Sequence, residues 1–501
     1  MSTLASPLPL PAPSAPGASR LPFLLALIAA ISLYRLLALR ASGLDLYVDE
    51  AQYWTWAQHL AWGYFSKPPV IAATIALTTS VCGDGALCVK SGALVIYPLT
   101  TLLLWAVARR LFDARIAFWV AITFFTLPGV AFSSLIISTD VPLFLFWSLA
   151  LWAYLQALDT DAWRWWLLAG LAGGLGLLTK YTMVIFAVSV VIHLAITPSL
   201  RAHSRNPKLY AAALLAALIF VPNILWNAQH GWPTLQHTAQ ISGLETQQGL
   251  NWKSFGDFLA GQLAILGPIL FFAWIAQLLL GRSWLRDERY RLLACFALPF
   301  LGAISLQALL GRANANWAAM AYASATIFVV ARLLESGRRG LLIGALTFNV
   351  GAALIAYHYD ALTRVASIEL TRRSDVYKRV RGWQEFGVQV QALRVQHPDA
   401  LLMGDARDVI AELMYYVAPH PLDTVKWNPS GRVDDHYALT TTLDDKRGRD
   451  FIYISREREL RPDIAARFTS VEALPPVHVP VHADYALDFS AWALRDFHGY
   501  R

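Results

Sequence analysis

The chain has 501 residues, of which 56% are hydrophobic and only 15% charged, with a mean hydropathy of +0.44. These values exclude an ordinary soluble domain and place the chain among polytopic membrane proteins. The formal charge of +7 does not point to nucleic acid, because most Lys and Arg of the apolar region fall in short connections between apolar runs, where they act as orientation signals and headgroup contacts.

Residues 1–20 are rich in Pro, Ala and Ser and carry no charge before Arg20, which reads as a disordered cytoplasmic tail. A basic n-region is nearly missing and the apolar run that follows is long enough to span, so it is expected to stay as the first helix rather than leave as a signal peptide. Apolar runs of span length, a few slightly short, predict helices near Leu21–Leu39, Cys88–Val107, Ile116–Ser138, Val141–Ala157, Trp165–Thr179 and Tyr181–Ile196. They continue at Leu209–Trp226, Phe258–Leu280, Leu292–Leu310, Trp317–Leu334 and Leu341–Tyr357, about eleven in all. The two short runs around Lys180 read either as a tight hairpin or as one broken helix.

One set of alternate loops holds Arg109, Arg110 and Arg115, then Arg164, then Arg201, Arg205 and Lys208, then Arg282 to Arg291, then Arg338 and Arg339, and is cytoplasmic by the positive-inside rule. The other set faces outside, and it holds Asp49, Lys67, Asp140, Lys180, the loop from His230 to Asp257, and Gly311 to Asn316. Residues 21–358 therefore form the membrane domain, with an outer loop at 40–87. Residues 359–501 change character, with helical patterning around Trp383 to Val395 and a strand-like Phe451 to Ser455, and form a soluble α/β domain outside the membrane.

In the outer loop, Asp49 and Glu50 follow the first span and Lys67 precedes the next, so a carboxylate pair and a lysine share one membrane-surface segment. Ionisable groups beside the bilayer are functional candidates by default, and this pairing suggests chemistry on a lipid-linked anion. The plainer reading is a hydrated loop acid and a snorkelling lysine. Tyr53, Trp54, Trp56 and Trp62 read as an interfacial aromatic belt on short surface helices, which leaves Tyr53 and Tyr64 as weaker substrate contacts. Asp140, Lys180 and Arg312 stand at span ends on the same outer face, each either a site residue or an anchor of its own helix. Cys82 and Cys88 lie close enough in sequence to bridge, and nothing demands that they do. No CxxC, HExxH, GxGxxG or Walker pattern is present, so no metal and no nucleotide cofactor is assigned.

Several of these segments together resemble one family. Asp49-Glu50-Ala51-Gln52-Tyr53-Trp54, Tyr64-Phe65-Ser66-Lys67-Pro68-Pro69, Ala108-Arg109-Arg110-Leu111-Phe112, Thr139-Asp140-Val141-Pro142-Leu143 and Leu177-Leu178-Thr179-Lys180-Tyr181 occur in the order seen in the family 39 and 83 membrane glycosyltransferases. These include the protein O-mannosyltransferases and the lipid A aminoarabinose transferases, with a class C glycosyltransferase fold. The resemblance implies a polyprenyl-phosphate sugar donor, transfer with inversion to a glycolipid or protein hydroxyl, and an active site facing the periplasm from a bacterial inner membrane. On that basis Asp49 is the general base, with Glu50 beside it. Lys67 and Lys180 contact the donor phosphate and Asp140 contacts sugar or acceptor, while Arg312 as a further phosphate contact and Tyr53 and Tyr64 as weaker substrate contacts rest on their own residue types and positions rather than on the resemblance. Two departures stand out, since Ser66 takes a position usually held by Glu and Gln52 one usually held by Arg, which argues against aminoarabinose as the sugar. A transporter of lipid-linked sugars is the alternative, though no internal inverted repeat supports it, and a polysaccharide polymerase or ligase is a third.

Overall fold

The computed structural model describes residues 20–243 and 249–500, so the expected N-terminal tail lies outside the described residues except for Arg20. The chain falls into a helical unit (Met1–Ala41, Lys67–Ile71 and Lys90–Tyr359) and a mixed unit (Ser42–Ser66, Ala72–Val89 and Asp360–Arg501). Most of the first outer loop is thus grouped with the C-terminal residues.

All eleven apolar segments are helical, but they are not equivalent. Among the described residues, six helices are long and apolar enough to cross a membrane: Leu21–Ser42, Ala86–Leu111, Asp140–Thr160, Pro207–Gln229, Glu288–Leu310 and Arg339–Tyr357. A seventh span arises if Trp252–Leu266 and Pro268–Leu280 count as one, and these two meet at a bend of 109°. The bend falls at Gly267, whose φ of +85° suits a residue without Cβ, followed by Pro268, which has no N–H to continue the ladder. The run expected at Ile116–Ser138 is likewise broken, into Ala114–Thr126 and Pro128–Ser133, again at a proline.

Small residues set the packing of the helical unit. A Cβ on Gly170 would lie 2.4 Å from the carbonyl oxygen of Ala212, and one on Gly174 would lie 2.7 Å from Ile219, so these two glycines let helices Trp163–Leu177 and Pro207–Gln229 approach closely. Arg35 is buried on the first long helix, where it donates to the Phe125 carbonyl at 2.5 Å and to Ser134 Oγ at 3.2 Å and lies over the Phe125 ring. It ties three helical segments together.

The mixed unit is built on a five-stranded sheet of order β2-β1-β3-β5-β4, with β1 Leu401–Gly404, β2 Val425–Lys426, β3 Phe451–Ser455, β4 Phe468–His482 and β5 Tyr485–Phe497. β1 pairs in parallel with both β2 and β3, while β5 is antiparallel to β3 and β4. Every residue of β3, Phe-Ile-Tyr-Ile-Ser, is buried, as a central strand covered on both faces requires. On one face Ile452, Ile454 and Phe489 meet Phe386 and Val390 of helix Trp383–Gln396 and Leu413 of helix Arg407–Tyr416. On the other, Met403, Tyr453 and Trp492 pack with Trp427, Phe468 and Phe497. The two helices come so close that a Cβ on Gly387 would sit 2.2 Å from the Tyr416 carbonyl oxygen.

Helix Val48–Gln58 packs against Arg407–Tyr416 within this unit. The Leu46 N–H donates to the Tyr416 hydroxyl at 2.6 Å, Asp45 Oδ2 accepts the Trp383 N–H at 2.8 Å, and Asp84 Oδ1 accepts Trp54 Nε1–H at 2.8 Å. Tyr53, Trp54 and Trp56 are therefore protein core and not an interfacial belt, whereas Trp62 is exposed. Periodicity could not separate the two readings, because both call for aromatics on a short helix. Cys82 and Cys88 are joined as a disulfide.

Candidate active site

In the mixed unit the site begins with the first turn of helix Val48–Gln58. Glu50 is buried, and its Oε2 accepts the Tyr47 N–H at 2.9 Å, so it closes the exposed end of the helix three residues on. Asp49, next to it, points elsewhere: its side chain is 42% exposed and its Oδ1 accepts from Nη1 of Arg407 at 2.8 Å. The same Nη1 also donates to Gln52 Oε1. Burial works against the Arg407 charge, but the Asp49 carboxylate outweighs it and the guanidinium is held above its ordinary pKa. Arg407 opens helix Arg407–Tyr416, immediately after β1 and the linking Asp405-Ala406.

Tyr53 is buried with its ring 5.0 Å from Trp56. Tyr64 is stacked on Trp56 with centroids 4.5 Å apart, donates to the Trp56 carbonyl at 3.1 Å and accepts the Ala61 N–H at 3.1 Å. Burial pushes its hydroxyl up to about 12. The Tyr64 hydroxyl is spent on its own loop and braces the segment that leads to Lys67.

In the helical unit, Asp140 starts helix Asp140–Thr160 and Lys180 follows helix Trp163–Leu177. Lys180 Nζ lies 2.7 Å from Asp140 Oδ1, and Asn316 Nδ2 donates to Asp140 Oδ2 at 2.6 Å. Both side chains of the ion pair are largely buried, at 15% and 8% exposure, so the pair is a fixed part of the interior rather than a surface contact. Asp140, Asn316, Tyr97, Ser133 and Tyr322 supply the polar wall of a cavity of about 370 Å³ that includes its open mouth. Lys67 is half-buried ahead of Pro68-Pro69 and helix Val70–Cys82. The Val70 N–H donates to the Leu178 carbonyl at 3.1 Å, which ties the segment carrying Lys67 to the one carrying Lys180. Arg312 is exposed, with its N–H donated to the Ser242 carbonyl at 2.7 Å, and it does not line the cavity.

Of the residues expected from sequence, Asp49, Glu50, Tyr53 and Tyr64 thus belong to the mixed unit, and Lys67, Asp140, Lys180 and Arg312 to the helical unit. Sequence reasoning missed Arg407 and the Asn316 contact. Asn316 carried a signal, a polar turn at a span end, but Arg407 carried none. His230, at the start of the outer loop, stacks on Trp226 at 4.2 Å and its Nδ1 lies 2.7 Å from the Trp226 carbonyl oxygen. Among the described residues no group of three or more His, Cys, Asp or Glu is placed to hold a metal ion. Chemically, the first cluster offers a solvent-accessible carboxylate held by a cation, and the second a buried ammonium paired with a carboxylate that lines a cavity.

The helical body with apolar spans and the C-terminal sheet domain, taken with the relatives of this chain, make it a membrane glycosyltransferase. Residues 66–226 match the family described as dolichyl-phosphate-mannose-protein mannosyltransferase. The lipid A galacturonosyltransferase RgtD of Rhizobium johnstonii is 34% identical over 418 residues, which cover 82% of this chain and 86% of that one. The undecaprenyl phosphate-alpha-4-amino-4-deoxy-L-arabinose arabinosyl transferase of Pseudomonas aeruginosa is 33% identical over 172 residues, 31% of each chain. Among solved structures, ArnT from Cupriavidus metallidurans bound to undecaprenyl phosphate shares the fold, with a TM-score of 0.65 at 14% identity over 95% of this chain and 98% of that one. The chain belongs to the family 39 and 83 class C membrane glycosyltransferases, and the transporter reading falls away.

Proposed function

We propose that this protein moves a sugar from a polyprenyl-phosphate donor to a hydroxyl of a lipid-glycan acceptor, of the lipid A or lipopolysaccharide class, on the periplasmic face of a bacterial inner membrane. The names of the relatives support both halves of that reading, donor and acceptor. The observation that carries it is Asp49, an accessible carboxylate fixed at one oxygen by Arg407 and seated on a helix end that Glu50 closes.

Asp49 takes the acceptor proton as the acceptor oxygen attacks the anomeric carbon, with inversion. The bond between that carbon and the phosphate oxygen breaks, and the electron pair leaves on the polyprenyl phosphate. Lys180 and Lys67 hold the departing charge, the role that preorganised cations play at leaving groups. Glu50 acts as a positioning residue for Asp49, and Asp140 and Asn316 orient Lys180. Tyr53 and Tyr64 serve by packing the loop.

The test is incorporation of label. Purified wild type and Asp49→Asn, each in lipid, are incubated with radiolabelled polyprenyl-phosphate sugars and a total membrane extract. Label in the glycolipid fraction with wild type alone supports the reading, label in protein moves the acceptor, and equal turnover by Asp49→Asn removes Asp49 as the base.

A further inference from the structure

We propose that Arg407 is the specificity-determining residue for the donor sugar and receives the carboxylate of a uronic acid, an inference that rests on the polyprenyl-phosphate donor proposed above. The support is in how its five N–H groups are used. Only Nη1 is engaged, by Asp49 Oδ1 at 2.8 Å and by Gln52 Oε1. Among the described residues Nε and Nη2 donate to nothing, and these two form the edge that grips a carboxylate with two parallel bonds.

Three other paired arginines of the mixed unit spend that edge internally. Arg381 gives Nε to Asp375 and Nη2 to Asp360, Arg456 gives both to Asp408, and Arg461 gives both to Asp463. Arg407 is also 40% exposed, so its open edge is accessible to a ligand. It stands at the carboxyl ends of the parallel strands β1 and β3, where open α/β sheets place their ligand crevices. Being bonded to Asp49, the guanidinium puts a bound carboxylate within a sugar ring's width of the proposed base.

A phosphate oxygen pair would fit the same edge, and the experiment separates the two sources. Two donors are made on one polyprenyl phosphate, one carrying a hexuronic acid and the other the matching neutral hexose. Wild type, Arg407→Met and Arg407→Lys are assayed in lipid with both, and kcat/KM is read for each pair. A carboxylate receptor gives a wild type that prefers the uronosyl donor and an Arg407→Met variant whose kcat/KM for that donor falls about 100-fold further than for the neutral one. Arg407→Lys lies between, because it keeps the charge and loses the fork. Equal losses with both donors overturn the assignment and point to the phosphate or to Asp49. A wild type that favours the neutral hexose also overturns it, whether or not Arg407→Met folds, and leaves the transferase reading standing. A wild type that transfers neither sugar overturns both.

Discussion

Lys180 Nζ and Asp140 Oδ1 lie 2.7 Å apart in a largely buried pair, while Asn316 occupies the second oxygen of the carboxylate. Removing one partner leaves the other charged and desolvated, which costs about 3–5 kcal/mol, whereas removing both leaves neither stranded. Lys180→Met is therefore expected to lower the unfolding temperature markedly, and the double variant with Asp140→Asn is expected to recover most of it. Donor affinity should stay low in both, because the phosphate contact is gone in both. Thermal unfolding in detergent together with donor titration checks this, and a double variant that regains donor affinity would exclude Lys180 as a phosphate ligand.

Asp49 tests differently, because its carboxylate is 42% exposed and its loss strands no buried charge except through Arg407, itself 40% exposed. Asp49→Asn is expected to leave the unfolding temperature within a few degrees of wild type while kcat falls by about 10²–10⁴, the range of general-base contributions. A matched fall in unfolding temperature and activity would instead mark Asp49 as a structural residue.

The positions of Asp49, Lys67, Asp140 and Lys180 were legible in the sequence for one reason: ionisable groups beside long apolar runs are conspicuous. The helix interruptions were not foreseen, since Ile116–Ser138 and Phe258–Leu280 each read as one apolar run, although Leu127-Pro128 and Gly267-Pro268 carry the breakers that split them. Arg407 was not legible, because its partner Asp49 is 358 residues away and nothing local separates it from the other basic residues of the C-terminal domain. Long-range pairing of this kind is set by packing of helix Val48–Gln58 on helix Arg407–Tyr416, which no local pattern encodes. The aromatic cluster at 53–56 misled for a related reason, since burial by a distant domain and burial at headgroup depth ask for the same residues.

Glu50 is expected to act on stability first and on rate second. Its buried carboxylate accepts the Tyr47 N–H, and loss of such a cap costs about 1–2 kcal/mol. Glu50→Ala should lower stability by that amount and slow turnover less than Asp49→Asn does, while donor KM stays close to wild type. Measuring kcat and KM separately decides it: a Glu50→Ala enzyme as inactive as Asp49→Asn but equally stable would make Glu50 a participant in proton transfer.

His436 sets an acid limit on the mixed unit. Its ring lies 5.2 Å from Trp56 and 5.9 Å from Tyr64, its Nδ1 is buried without a hydrogen-bond partner among the described residues, and burial lowers its pKa to about 3. The unfolded chain takes up the proton near the ordinary histidine value of about 6.5, so between that pH and about 3 the unfolded state binds more protons than the folded one. Stability therefore falls as pH drops below about 6.5 and stops falling on this account only near 3. His436→Phe keeps a ring against Trp56 and removes the titration. Unfolding temperature measured from pH 7.5 to 4.5 should decline more shallowly in that variant than in wild type. Parallel declines would show that His436 is already protonated in the fold or that carboxylates such as Asp375, held below its ordinary pKa despite burial by His482 and Arg381, account for the whole acid loss.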